Sequence, residues 1–393
     1  MTAHSAEPLR VLMVPSTYPT PQRPGAGAFV RAFAAALDRA GASVQVIAPH
    51  PLGRGPAPTD PGDPVPTLRP RYPSFSARRL GPVRTFAWTV RAFCRATVRA
   101  LPRLESAPEV VYGHFLYPGG AAALAASEAL GVPAVAALGE GRPQRHEEEL
   151  GAQRVAATAR GLAGLLCVNA WNRDYCVERL SVDPRRTLVR ANAADTAFFY
   201  PRDRTEARAR LGLPADRLLV AFTGHFDENK GPLRLLAALE RVPGMAGLFL
   251  GKGPAHPSGD RVAFAGEVPH DQVPAYLSAG DLFSLPVRTE ASSNSLAEAL
   301  ACGLPAVVSD LPGLRAMADA SCARFVDPDD PQALAEALRA LAQDPGLRQR
   351  MGRAALARAR AYDLDRRARD VLAWLTKLAR GEKPLPMDSR PAQ

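Results

Sequence analysis

Residues 282–309 read LFSLPVRTEASSNSLAEALACGLPAVVS, and the fold of the chain is decided there. Leu282 to Pro286 reads as a short apolar strand, the polar stretch through Glu290 as a loop, and the segment carrying Glu298 as a helix. Cys-Gly-Leu-Pro stops that helix, and Ala306 to Ser309 is apolar again. Strand, loop, helix and strand in quick succession is the repeat of an open α/β sheet. Such sheets bind ligands outside the carboxyl ends of their strands, often at a helix start. Two acids, with hydroxyl and amide side chains between them at that place, suit a polyhydroxylated ligand. A helix running from Glu290 to Glu298 would hold the carboxylates about 12 Å apart. Glycosidase pairs stand roughly 5–9.5 Å apart. A loop before the helix could shorten the distance, so a hydrolase is not excluded, but separate jobs for the two acids are expected. The plain alternative is a pair of solvated glutamates flanking a core helix.

Working outward, VAFTGHFDENKGPLRLLAAL at 220–239 has the same organisation. A strand ends at Thr223-Gly224, a polar loop holds His225 and Lys230, and Gly231-Pro232 open a helix. Proline suits the first helical position, and a helix N-terminus attracts anions. Lys230 beside it could meet a diphosphate as a flexible point charge, or it is an ordinary loop lysine. Further apolar strands are expected at Leu248 to Leu250, Val262 to Ala265 and Arg324 to Val326. The first half repeats the alternation, with strands at Leu9 to Pro15, Ser43 to Ala48, Glu109 to Tyr112, Ala134 to Ala137, Leu165 to Val168 and Thr187 to Arg190. Two such series predict an α/β protein with two doubly wound parallel sheets and a cleft between them.

Gly25 and Gly27 are not a dinucleotide fingerprint, since the third glycine and the downstream acid are missing. Small residues there would still let a ligand approach backbone. Residues 49–82 are proline-rich and aperiodic, so they read as an active-site loop or an irregular cover. The following helix carries Phe86, Val90, Phe93 and Val98 on one side and Arg84, Arg91, Arg95, Arg99 and Arg103 mostly on another. Packing on its own sheet is expected, with weak membrane-surface association as the alternative.

The chain has 393 residues, 47% of them hydrophobic, which is enough for two cores. No apolar run reaches the roughly 18–20 residues of a membrane span, and the N-terminal stretch is not a signal peptide. Five scattered cysteines without metal or redox spacing fit a reducing cytoplasm. The net charge of +10 is carried mainly by arginine and accompanies no nucleic-acid module.

Together these pieces resemble the retaining glycosyltransferases of family 4, with the GT-B fold of two Rossmann-like domains facing a cleft. The resemblance spans nearly the whole chain. STYPTPQRPGAGAFV resembles the opening loop, VVYGHFLYPGG the histidine-bearing strand end, and VRANAADTAFFYP the interdomain segment. TGHFDENKG, LGKGP, VAFAGEVPHDQVPAYLSAGDLFSLP and the glutamate-bracketed run resemble the donor half in order. The resemblance implies a first domain over 1–195 and a donor domain over 196–362. A helix over 363–380 would cover the second sheet or cross back to the first, and a disordered tail would follow over 381–393.

It also implies roles. Lys230 would bind the donor diphosphate, with Gly224 and His225 in the same loop. Glu298 would hold the ribose hydroxyls and Glu290 the transferred sugar. Amides around Ser292, Ser293, Asn294 and Ser295 would meet sugar and phosphate, and backbone near Gly266 and Glu267 would frame the base. Glu290, Lys230 and His114 would form the catalytic set, unless His114 is structural. Gly25, Gly27, Glu140 and Arg142 would serve the acceptor or phosphate side. The expected substrates are a nucleotide-diphosphate sugar and a hydroxyl-bearing acceptor, an envelope glycan or a small molecule, with no cofactor and no metal. The Asp-x-Asp pairs at 327–329 and 363–365 are expected to be caps. The expected setting is cytoplasmic, peripheral at the inner membrane face. A non-catalytic sugar-nucleotide-binding protein and a GT-B epimerase are the alternatives. Three departures stand out: His225 where the family has arginine, alanines at 191, 193 and 194, and AALGEGRPQR in place of the usual first-domain loop.

Overall fold

The structure, a computed structural model, describes residues 7–382 except 56, 58, 59, 76–78, 81 and 82. It divides into two compact units, Met1–Arg190 with Asp365–Gln393, and Ala191–Leu364. Those boundaries differ slightly from the expected 195/196 and 362/363. Of the expected tail, only the first two residues lie within the described part.

The first unit is built on strands β1 (Arg10–Pro15), β2 (Ser43–Ile47), β3 (Thr67–Leu68), β4 (Val110–His114), β5 (Ala134–Leu138), β6 (Gly164–Cys167) and β7 (Thr187–Val189). They lie in the order β7-β6-β5-β4-β1-β2-β3, all parallel. Every residue of β4, β5 and β6 is buried, so these strands read as continuous apolar runs rather than alternating ones, as parallel sheets covered on both faces do. Helix α1 (Ala28–Arg39) buries Val30, Phe33, Ala34, Ala36 and Leu37. Helix α2 (Phe86–Ala100) buries Val90, Phe93, Ala96, Thr97 and Ala100; Phe86 and Val98, expected on the inner face, are only half-buried.

β3 lies inside the proline-rich stretch that reads as aperiodic. Proline cannot donate to a sheet but can accept, and that is how the edge is made. The amides of Val46 and Ala48 donate to the carbonyls of Pro66 and Leu68, both at 2.8 Å. The C-terminal helix, Leu364–Ala379, packs within the first unit over almost its whole length. Its Trp374 is 1% exposed and lies against Gly164, where an added Cβ would sit 2.5 Å from the indole. Asp365 and Asp370 pair with Arg39 and Arg190 at 2.6 and 2.9 Å.

The second unit holds β8 (Leu218–Thr223), β9 (Met245–Leu250), β10 (Val262–Gly266), β11 (Leu282–Leu285), β12 (Ala306–Ser309) and β13 (Ala323–Val326). Their order is β10-β9-β8-β11-β12-β13, again all parallel. The strand order therefore reverses between β8 and β11, as it does between β1 and β4 in the first unit. Crevices outside the carboxyl ends of strands at such reversals are where open α/β sheets take ligands. At the opposite end a buried acid ties β8 to β11. Asp281 accepts from Arg208 at 2.5 Å and from the Leu219 amide at 2.7 Å, and Arg204 lies 2.9 Å away. Arg208 also donates to the carbonyl of Ala279, so the buried charge is well satisfied.

Candidate active site

The loops after β8 and β11 are stitched to each other. Asn229 donates to the Thr289 carbonyl at 3.2 Å and accepts from the Thr289 amide and hydroxyl at 3.0 and 2.8 Å. Arg234, on helix α3 (Pro232–Glu240), donates to the carbonyls of Pro286, Glu228 and Asn229. Gly231 precedes α3 at φ 75°, and a Cβ there would meet the Pro286 carbonyl at 2.5 Å. Only glycine allows this left-handed turn so close to the neighbouring loop. Arg288 pairs with both Glu228 and Asp329, closing the outer side.

Within that frame Lys230 and Glu290 meet, with Nζ 2.5 Å from Oε2. Both side chains keep some exposure, 27% and 14%. The Lys230 amide donates to Asp227 at 2.7 Å, which fixes the backbone from which the lysine extends. Glu298 stands one turn into helix α4 (Asn294–Ala301) and is half-buried. It has no hydrogen-bond or ion-pair partner among the described residues, and burial pushes its pKa up to about 8. A carboxyl held in this way accepts donors readily, because each hydrogen bond to the charged form offsets lost hydration. The two acids thus differ in state, one paired with a cation and one buried alone.

Ser293 caps α4, accepting from the Leu296 amide at 3.1 Å, and its own amide points to Met317 Sδ at 3.2 Å. Ser292 Oγ accepts from the Asn192 amide at 2.9 Å, and its carbonyl accepts from the Asn192 side chain. Both serines are buried. Their side chains hold the loop and the segment around Asn192, and the Ser293 amide, one of those expected to meet sugar and phosphate, is turned to Met317. The amides of Asn294 and Ser295, the first two of α4, have no acceptor among the described residues, as helix starts commonly leave them.

His225 is exposed and lies 3.2 Å from Asp227. Gly266 ends β10, its carbonyl accepting from the Gly251 amide, and Glu267 pairs with Lys252 at 2.7 Å. In the first unit, Gly25 has open space around it and Gly27 precedes α1. Arg142 pairs with exposed Glu148, and Glu140 accepts from its neighbour's amide and lies 3.1 Å from His146. His114, expected in the catalytic set unless structural, is 4% exposed; its Nδ1 lies 3.2 Å from the Tyr112 hydroxyl, and burial, with Arg367 nearby, pushes its pKa down to about 3.

The 327–329 pair differs in detail from a cap. Asp327 accepts from the Asp329 amide in a turn and Asp329 pairs with Arg288, while Asp330 is the residue that caps the next helix. Asp363 accepts from Thr196. Among the described residues no cluster of three or more metal-ligating side chains is found. Asn229, Arg234 and the Glu140–His146 pair were not foreseen. Arg234 was signalled only by its place one turn beyond Lys230.

Residues 24–198 match the family described as Glycosyltransferase Family 4, and residues 203–358 the family described as Glycosyl transferases group 1. A Bacillus subtilis (strain 168) protein with the provisional name of teichuronic acid biosynthesis glycosyltransferase TuaC is 27% identical over 84% of this chain and 88% of its own length. The D-inositol 3-phosphate glycosyltransferase of Xylanimonas cellulosilytica is 32% identical over 73% of this chain and 77% of its own. Among solved structures, Anabaena Alr3699/HepE in complex with UDP and glucose superposes with a TM-score of 0.74 at 16% identity, covering 94% of this chain and 99% of that one.

Proposed function

Because the chain belongs to the group 1, family 4 glycosyltransferases of GT-B fold, we propose that the loops after β8 and β11 bind a nucleotide-diphosphate sugar whose sugar passes to an acceptor hydroxyl with retained configuration. The observation carrying this is the meeting of Lys230 and Glu290 at the strand reversal, with partnerless Glu298 on the adjoining helix. The solved relative bound to UDP and glucose supports the donor class.

On this proposal Lys230 leaves Glu290 for the more highly charged diphosphate. Glu290 is then free to accept from hydroxyls of the sugar. Glu298 takes the ribose diol, whose two O–H groups favour its charged form. As the bond from the anomeric carbon to the phosphate oxygen breaks, the electron pair leaves with the diphosphate. Lys230 and the free amides of Asn294 and Ser295 stabilise that charge without reorganising. The acceptor oxygen bonds to the same face of the carbon, and its proton passes to the departing phosphate oxygen. We assign no resident metal to these steps.

The named relatives act in unlike settings, so the acceptor is proposed only as an envelope glycan or a small polyhydroxylated molecule. Among the described residues no helix is long and apolar enough to cross a membrane. A cytoplasmic setting is proposed on the five unpaired cysteines. The test is incubation with UDP-, GDP- and TDP-sugars, with and without acceptor hydroxyls, reading product anomer by NMR. Retained-configuration transfer from one donor supports the proposal. Epimerised donor without acceptor, or no turnover of any donor, contradicts it.

A further inference from the structure

Beyond the β1/β4 reversal of the first unit, the loops after β5 and β6 leave adjacent parallel strands side by side. Leu138 lies opposite Cys167, and the Val168 amide donates to the Leu138 carbonyl at 3.1 Å. Asn169 caps the short helix Ala170–Asp174 by accepting from the Asn172 amide at 2.7 Å. The Asn172 side chain in turn donates to the Glu140 carbonyl at 3.2 Å, which ties the two loops together. Asn172 is fully buried, yet its Oδ1 has no donor among the described residues. Buried side-chain oxygens are nearly always hydrogen-bonded, so this one points to a hydroxyl donor that the chain itself does not supply.

Glu140 presents further acceptors at the same place. Its Oε2 accepts from the Gly139 amide at 3.0 Å and its Oε1 lies 3.1 Å from His146 Nε2, which leaves each oxygen a lone pair. The His146 ring is stacked on Phe86 at 6.5 Å and tilted on Tyr117 at 5.3 Å, so the carboxylate is fixed before any ligand arrives. The Glu140 side chain keeps 20% exposure. Arg142 and Arg173, the arginines of the two loops, are already paired with Glu148 and Asp174 at 2.7 and 2.9 Å. The polar groups left over are acceptors, which suit hydroxyl donors and repel a phosphate or a carboxylate. Trp171, the residue before Asn172, is 41% exposed. An indole face takes the C–H face of a pyranose ring while the hydroxyls of that ring reach polar neighbours.

We propose that Trp171, Glu140 and Asn172 hold the acceptor as an uncharged hexopyranose unit. Its C–H face lies on the indole, and two of its hydroxyls donate to the Glu140 carboxylate and to Asn172 Oδ1. The assignment rests on the glycosyl-transfer reading and adds to it the charge and ring type of the acceptor.

Saturation-transfer NMR on the full chain tests it, with the methyl glycosides of glucose, galactose, mannose and N-acetylglucosamine titrated against glucuronic acid and glucose 6-phosphate. At least one neutral glycoside should bind, saturated most strongly on the C–H protons of one ring face, and more tightly than either anionic sugar. Trp171→Ala should weaken it about 10- to 30-fold with no loss of Tm, and Trp171→Phe should restore most of that loss. Glu140→Gln should weaken the neutral glycoside about fivefold and strengthen glucuronic acid, a reversal that a merely structural role would not give. Tighter binding of the anionic sugars, no binding by any glycoside, equal weakening of both classes by Glu140→Gln, or indifference to Trp171→Ala overturns the proposal. Saturation transfer needs no donor turnover, so failure of this subsite is read separately from failure of the donor reaction.

Discussion

Both units reverse their strand order beside their first strand, yet they treat that place in opposite ways. In the first unit the reversal is closed by the protein itself. Ser16 Oγ accepts from the amides of Phe115 and Gly119, at 3.0 and 2.9 Å, and His114 is buried and neutral. In the second unit it is held open and charged. Lys230 and Glu290 have only each other as charge partners, Glu298 has no partner, and two amides of α4 lack acceptors among the described residues. The lesson is that one topology makes two candidate crevices, and the unsatisfied groups tell which of them waits for a charged ligand.

The largest expected effect bears on what holds the second reversal together. Asp281→Ala leaves Arg208 buried without its acid and should cost about 3–5 kcal/mol in urea unfolding. An undiminished midpoint would mean that the β8/β11 frame does not rest on that pair. Next comes Lys230→Ala, which should lower kcat/KM for transfer about 10²- to 10³-fold. A drop of the same size from His114→Gln would erase the contrast between the units.

Glu298 sharpens the contrast through pH. Its folded pKa of about 8 lies above the ordinary 4.5, so the group favours the folded state most when protonated, and stability is lost as pH rises from 4.5 through 8. Glu298→Gln should therefore raise Tm in alkaline buffer and leave it nearly unchanged in acid buffer. Donor binding at neutral pH should release protons, visible as a buffer-dependent heat in calorimetry. His114 has the reverse sign, its contribution being lost as pH falls from 6.5 through about 3. The smallest effect follows: His114→Gln, at a buried residue held by Tyr112 in the first unit, should change nucleotide-sugar affinity by less than about twofold.

The fold was legible because most strands are short, largely apolar runs set apart by helical segments and by glycine or proline signals. β3 was not, because its hydrogen bonds come from carbonyls flanked by proline, a pattern that reads as loop. At the site, Glu290, Glu298 and Lys230 could be picked out from their local segments, but their states could not. The lysine and its glutamate are 60 residues apart, and only the strand order brings them together. The Ser292 hydroxyl and the Ser293 amide read as available to a ligand, whereas Asn192 and Met317 engage them from distant parts of the chain. The Arg-rich face of α2 was visible as a helical stripe. That it borders a groove depended on where segment 70–73 lies.

The most direct test is a crystal structure of the chain with the nucleotide sugar it turns over. The diphosphate should lie on Lys230 and the first amides of α4, with the ribose on Glu298 and the sugar on Glu290. A nucleotide bound elsewhere, with the Lys230–Glu290 pair still intact, would contradict that placement.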